Sequence, residues 1–400
     1  MFGFHNMVVR INATQRSFDL KIISDDLLRR TLGGKGLAMQ LLLSHNSPNV
    51  DALDPENHLV LATGPTSRTG LWGACRHGIF TKYPQAGYFA ESYSSGTVAD
   101  YIAGTGFDAV IIRGASKDPV WLEVCEETIG FHAAGDLWGL DSCETEDRIK
   151  LWIKGHRAAA KDCGIVAIGP EAESPVSDVE NDDWGSDGGS GTGAVMGSKK
   201  IKAVAFWGDR KKEFADPELI RRLTKDIARR AKDNAGGRPN KSMGSSCDAS
   251  GLKADHACPA SCGPVLSEMI DPGRILAAAK AFVEWEDRMT ILDSLILCRP
   301  QLDLYQWEEL AATIKGVTGL DLTKEGMRSI ARSIADDTRR FNLREGWKPE
   351  KDRFSRLVFT ETVSETRRNL SERDERRLLA DYYKERGWDR KGRPPKQIGA

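Results

Sequence analysis

Cysteine, histidine and long apolar runs are all scarce in this chain of 400 residues, and each shortage excludes a class of protein. Eight cysteines are too few for a disulfide scaffold at this length, so the fold must rest on buried apolar area. Seven histidines show no H-E-x-x-H or other metal spacing, and no G-x-S-x-G elbow is present, so a hydrolase has no support. No window approaches the roughly 20 apolar residues of a membrane span. Net charge is nearly absent too. The 57 basic and 58 acidic residues leave −1, which implies neither a nucleic-acid partner nor a membrane surface. The opening MFGFHNMVVRINATQRSF alternates apolar and polar residues and lacks the basic, apolar, small order of a signal peptide, which points to a cytoplasmic chain.

What remains is a soluble globular composition, 40% apolar and 29% charged, which rules out wholesale disorder. Short apolar or alternating runs recur in the first half: VVRIN (8-12), FDLKII (18-23), HLVLAT (58-63), DAVIIRG (108-114), GIVAIG (164-169) and KKIKAVAFWG (199-208). Their length and the Gly, Pro, Asn and Asp between them predict strands. Helices are expected at Asp25 to Leu32, Gly36 to Leu43 and Glu144 to Ile153, the last capped by Ser142. From Asp216 the pattern turns helical, with predicted helices over 217-232, 273-297, 305-316, 323-340 and 374-386. The chain therefore reads as α+β, with a β-sheet-rich domain over 1-208 and a helical region over 209-400. The segment 234-256 reads as a loop, and the basic tail RKGRPPK (390-396) as a frayed terminus.

Two segments could carry chemistry. The loop NDDWGSDGGSGTGAVMGSKK (181-200) is bared by glycines and suits either a phosphate or flat-cofactor cradle or a flexible surface loop. Gly189, Gly191 and Ala194 satisfy G-x-G-x-x-A, but polar residues precede the loop and a strand-like run follows it, which argues against dinucleotide binding. Second, Cys258 and Cys262 lie one tight turn apart and Cys298 closes a long predicted helix, with Asp255, His256 or Cys247 as a further ligand. That set suits tetrahedral zinc or an iron-sulfur cluster, or else comprises three unrelated buried thiols. Arg76, after the Gly-rich TSRTGLWG, could hold an anion bidentately. Asp293, in the apolar LDSLILC, is either exposed near a helix end or paired with a buried donor.

In order along the chain, LGGKGLAMQLL, LDPENHLVLATGP, GACRHGIFTKYPQAGYFAESYSSG, GFDAVIIRG, IGPEAESPV, GTGAVMGSKKIKAVA, YQWEELAATIKGVTGLDLT, FNLREGW and YYKERGWDRKG resemble the tungsten-containing aldehyde ferredoxin oxidoreductase family. That family includes the catalytic subunit of benzoyl-coenzyme A reductases. The resemblance implies that residues 1-208 bind a metallopterin and that shortened helical domains cover it. It implies oxidation of an aldehyde to a carboxylate, or the reverse, at a tungstopterin, with tungsten or molybdenum as the metal. Electrons would pass through a 4Fe-4S or 3Fe-4S cluster to ferredoxin or an iron-sulfur subunit, in a homodimer or hetero-oligomer. Magnesium would bridge the pterin phosphates. The implied cofactor contacts are Arg76, Tyr93, Ser95, Gly96, Gly191, Thr192, Gly193, Asp293 and Leu297; the implied cluster ligands are Asp255, Cys258, Cys262 and Cys298.

The sequence also departs from the family pattern. Asp255 stands where the first cysteine of C-x-x-C-x-x-x-C belongs, and Gly185 and Gly189 replace two phosphate-loop arginines. Tyr93 stands where a small polar residue lies near the magnesium, and Ile296 replaces the glycine of D-x-x-G-L-C, adding bulk beside the pterin. After Cys262 the long segment that carries the second pterin motif and the acid-base residues is missing, so the resemblance implies no catalytic residue here.

Overall fold

In the computed structural model the described residues are 1–84, 87–126, 128–173, 191–233, 275–352 and 372–396. The alternating runs of the first half become strands β1 (Met7–Asn12), β2 (Ser17–Ile22), β3 (Leu59–Ala62), β4 (Arg76–Lys82), β5 (Phe89–Ser95), β6 (Ala109–Arg113), β7 (Val120–Val124), β8 (Ile129–Ala133), β9 (Gly164–Ala167) and β10 (Ile201–Phe206). Six of them form one sheet in the order β2-β1-β6-β3-β4-β5, and four form another in the order β8-β7-β10-β9. Each sheet is mixed, with β1 parallel to β6 and β7 parallel to β10.

Side-chain alternation builds the layers. On β6, Val110 and Ile112 face the second sheet, whereas Ala109 and Ile111 face the helices Asp25–Thr31 and Gly34–His45. The outer face of the second sheet, with Trp121, Ile165 and Ala203, packs on Ile149 and Ile153 of the helix Ser142–His156. Four layers result, and the inner strands β6 and β3 of the six-stranded sheet are buried on both faces.

Helices form the second half: Pro217–Asp233, Ile275–Leu295, Trp307–Thr318, Lys324–Arg344 and Glu372–Arg386. Ile275–Leu295 is the hub, packing on Gly34–His45, Lys324–Arg344 and Glu372–Arg386. A buried clasp reinforces it: Arg386 donates to Asp287 and Glu286 at 2.6 Å each, and Arg328 reaches the second oxygen of Asp287 at 3.0 Å. The mixed sheets and helical half make this an α+β fold. No helix among the described residues is long and apolar enough to cross a membrane.

Local chemistry shifts several predicted boundaries. Asp141, not Ser142, caps the third predicted helix, its carboxylate accepting from the Glu144 N–H at 2.7 Å. A short helix, Thr192–Ser198, separates the glycine loop from β10, so a strand does not follow that loop directly. The tail is docked over 390–396, because Arg339 and Arg340 donate to the carbonyls of Gly392 and Pro395 at 2.8 Å each. The predicted loop 234-256 lies outside the described residues.

Candidate cofactor site

The site forms where the helix Ile275–Leu295 ends against the loop that feeds β4. Ile296 takes a left-handed conformation, φ 61°, and the Leu297 N–H returns to the Leu292 carbonyl at 2.9 Å, which is the Schellman pattern of a helix stop. The chain then runs along the loop, with the Cys298 N–H donating to the Gly73 carbonyl at 2.9 Å and the Thr66 hydroxyl to the Leu295 carbonyl at 2.6 Å. Close approach requires glycine at position 64, where a Cβ would sit 2.5 Å from the Leu295 carbonyl oxygen.

This turn delivers Asp293, Leu297 and Cys298 to Arg76, the first residue of β4. Arg76 is buried, and its Nη1 donates to the Leu297 carbonyl at 2.8 Å and to Asp293 Oδ1 at 3.3 Å. Asp293, 1% exposed, also accepts a two-pronged grip from Arg299, Nε to Oδ1 at 3.0 Å and Nη2 to Oδ2 at 2.8 Å. Arg299 Nη2 reaches on to Glu91 at 3.2 Å, and Lys35 lies 2.9 Å from the other oxygen of Glu91. The Tyr93 ring sits between the two guanidiniums, 4.1 Å from Arg76 and 4.9 Å from Arg299, with its hydroxyl donating to Glu91 at 3.2 Å.

Burial works to raise the Asp293 carboxyl, but the charges of Arg299 and Arg76 outweigh it and hold the group below the usual carboxylate range. The Tyr93 phenol moves the other way, raised by burial and then by Asp293 and Glu91, so it stays protonated. Three cations, Arg76, Arg299 and Lys35, face two carboxylates, Asp293 and Glu91, leaving this cluster one positive charge in excess. Lys35, Glu91, Asp293 and Arg299 form one end of a cavity of about 540 Å³. Its other walls mix aromatic side chains, including Trp285, Trp347, Tyr382 and Trp388, with charged ones, Glu286, Arg339, Asp352 and Arg386. A volume of this size takes a cofactor-sized molecule.

The predicted residues do not all meet. Ser95 pairs with Arg76 across β4 and β5, and the Gly96 N–H donates to the Cys75 carbonyl at 2.9 Å, so both lie at the Arg76 end. Gly191 lies instead beside Tyr83 and Pro84, beyond the far end of β4, and Thr192 and Gly193 are buried in the short helix that follows. The length of β4 separates that end from Arg76 by about 20 Å. Ile296 does not line the cavity; its side chain fills the space between Gly34 and Gly64. Asp255, His256, Cys258, Cys262 and Cys247, together with Gly185 and Gly189, lie outside the described residues. Among the described residues, no three His, Cys, Asp or Glu side chains are grouped to hold a metal.

Sequence reasoning missed Arg299, Glu91, Lys35 and Cys75. Arg299 follows Cys298 directly, Cys75 precedes Arg76, and Glu91 lies two residues before Tyr93 on the same strand face, so adjacency to named residues was the available signal. Cys75 and Cys298 both flank Tyr305, whose phenol is raised by burial and further by these two thiols.

Family models for the aldehyde ferredoxin oxidoreductase N-terminal domain and for its domains 2 and 3 match residues 8–208 and 238–398. The chain is 33% identical over 236 residues to the tungsten-containing aldehyde ferredoxin oxidoreductase of Pyrococcus abyssi, covering 56% of this chain and 38% of that protein. It is 29% identical over 219 residues to the aliphatic sulfonate oxidoreductase, WOR-like subunit, of Pyrococcus furiosus, covering 51% and 34%. These matches thus span under two fifths of either relative's length. The active-site complex BamBC of benzoyl coenzyme A reductase, solved with 1,5-dienoyl-CoA, superimposes with a TM-score of 0.74 over 99% of this chain and 96% of that one. At 16% identity that likeness speaks to the fold. With both halves of the sequence matched in order, the chain belongs to the aldehyde ferredoxin oxidoreductase family.

Proposed function

We propose that this chain is a redox subunit that holds a tungstopterin at the Asp293 cluster and interconverts an aldehyde and a carboxylate. Electrons would leave through an iron-sulfur cluster bound by Cys298 with Cys258 and Cys262 to ferredoxin or an iron-sulfur subunit, in the cytoplasm. One observation carries the reading. Arg76 and the stretch Asp293 to Cys298, more than 200 residues apart in the chain, meet through hydrogen bonds, and Asp293 lines a cofactor-sized cavity.

The donor set fits the group. A pterin presents adjacent ring N–H and amino donors along one edge, and Asp293 already accepts two parallel N–H bonds from the guanidinium of Arg299, which has the same donor pattern. Arg299 is thus the stand-in on the anchoring carboxylate, and holding the cofactor requires it to leave Asp293 while keeping Glu91. Bound there, a tungstopterin would supply the oxygen-atom and electron chemistry that side chains lack. The protein's own part is to orient the ring edge with Asp293, to keep Tyr93 protonated and to shield the pocket with aromatic walls.

The two-pronged grip of Arg299 also favours a second reading, a shortened non-catalytic member that acts in binding or electron transfer. Metal analysis of protein purified without oxygen separates the two. Tungsten or molybdenum with about three to four irons per chain, together with aldehyde-dependent dye reduction, is the expected result. Iron without tungsten or molybdenum would establish the second reading. Arg299→Gln, which frees one side of Asp293 at a cost of about 2 kcal/mol in stability, is expected to raise the tungsten retained per chain.

A further inference from the structure

Among the described residues, strand β2 is an open edge of the six-stranded sheet, paired only with β1. Every residue of it is exposed, and Phe18, Leu20 and Ile22 are 40%, 49% and 83% accessible. These three share a face with Ile11, Val9 and Met7, their opposite numbers on β1. One strand further in, that same face is the core between the two sheets, where Val9 and Ile11 are fully covered. The apolar face of the sheet therefore runs one strand past its own cover. Edge strands are usually blunted by proline, bulges or charge. The charges of this strand, Asp19 and Lys21, point to the other face and leave the apolar row bare.

We propose that β2 pairs antiparallel with β2 of a second copy of this chain, about a two-fold axis at Leu20. This register sets Leu20 opposite Leu20, Phe18 opposite Ile22, and Asp19 opposite Lys21, each pair occurring on both sides of the axis. The sequence SFDLKI selects it over its neighbours. A slide of two residues one way places Asp19 opposite Asp19, and the other way Lys21 opposite Lys21, and directly opposed like charges are unfavourable. A slide of one residue turns the apolar row of one copy against the charged face of the other. Arg10 of β1 grips Asp19 through Nε at 3.0 Å and Nη2 at 2.6 Å, which holds the carboxylate on the face where the second copy's Lys21 arrives. A closed two-fold contact uses up both edges and forms no open chain of molecules.

The test is sedimentation velocity of the full chain over a concentration series, with circular dichroism to verify folding. The inference does not depend on cofactor content, so it and the redox reading can fail separately. Wild type is expected as a concentration-dependent dimer. Leu20→Asp, which opposes two carboxylates at the axis, and Lys21→Asp, which opposes Asp19, should each weaken it on the order of tenfold or more. The exchange Asp19→Lys with Lys21→Asp restores opposite charges and should restore the dimer. A monomer at every concentration, a dimer indifferent to Leu20→Asp, or a double variant that stays as weak as Lys21→Asp would each overturn the assignment.

Discussion

Asp293 and Glu123 are both carboxylates in the interior with every oxygen occupied, one at the end of the hub helix and one on β7. Glu123 receives Arg157 through Nε at 2.6 Å and Nη2 at 2.7 Å, Trp207 at 2.8 Å, and has His132 Nε2 at 2.8 Å. Its neighbours reach the surface: the Arg157 side chain is 36% exposed and that of His132 21%. Beside Asp293 the side chain of Arg76 is 4% exposed and that of Arg299 20%, and Asp293 and Arg299 line a cavity. Two clusters with similar bonding thus differ in what lies around them. Glu123 fastens a sheet, whereas Asp293, which lines a void, is poised to exchange a donor for a ligand.

Removing each carboxylate sharpens that contrast most. Asp293→Ala leaves the buried Arg76 without its carboxylate partner and leaves Arg299 and Lys35 to share Glu91, and should cost about 3–5 kcal/mol. Glu123→Ala releases Arg157 and His132 toward water and should cost about 1–3 kcal/mol. Urea denaturation of the two variants checks the ranking, and equal costs would erase the distinction.

Acid should act on the two sheets in sequence. His58, at the entry to β3, is pushed down to about 4 by burial, then by His45 and Lys199. A histidine value depressed in the folded state means that the unfolded chain binds more protons between pH 6.5 and 4, so stability is full above pH 6.5 and falls through that window. The whole step is about 3 kcal/mol at most. Burial alone would raise Glu123, but its bonds to His132, Arg157 and Trp207 bring the carboxyl down to about 2. Its contribution is present above pH 4.5 and is lost only as pH falls toward 2. Urea midpoints measured against pH should therefore drop first in the histidine window. His5 and His77 are likewise pushed down to about 4 by burial, so His58→Gln should reduce that first slope by its share and leave the second, which Glu123→Gln should reduce.

Periodicity made much of the fold legible, because strands of four to seven residues with Gly, Asn or Asp between them carry their own signal. Where the structure departed, the local signal was absent. Thr192–Ser198 is short, small-residued and buried almost throughout, so it shows no polar face from which a helix could be read. The docked tail depends on Arg339 and Arg340, some fifty residues earlier, which no local pattern announces. At the site, the resemblance assigned Arg76 and Asp293 to one cofactor, but the spacing of residues 217 positions apart could not bring them together. Arg299 was missed because its role comes from folding back onto a residue six positions earlier, through a helix stop that the sequence disguises by placing isoleucine where glycine is usual.

That isoleucine gives the finest test of how the site is built. Ile296 combines φ 61° with 1% exposure, so the position asks for a left-handed backbone and a buried β-branched side chain at once. The left-handed region costs a residue with a Cβ about 1–2 kcal/mol, a penalty glycine escapes. Ile296→Ala loses the side-chain burial and keeps the strain, which should cost about 2–5 kcal/mol. Ile296→Gly loses nearly the same burial but relieves the backbone, so it should be the more stable of the two by about 1 kcal/mol. Elsewhere on a helix the order is the reverse, since glycine is the poorer helix former. An alanine variant more stable than the glycine one would show that the turn delivering Leu297 and Cys298 to Arg76 is not left-handed in solution. A glycine advantage would show instead that packing of Ile296 between Gly34 and Gly64 holds a strained stop in place beside the cavity.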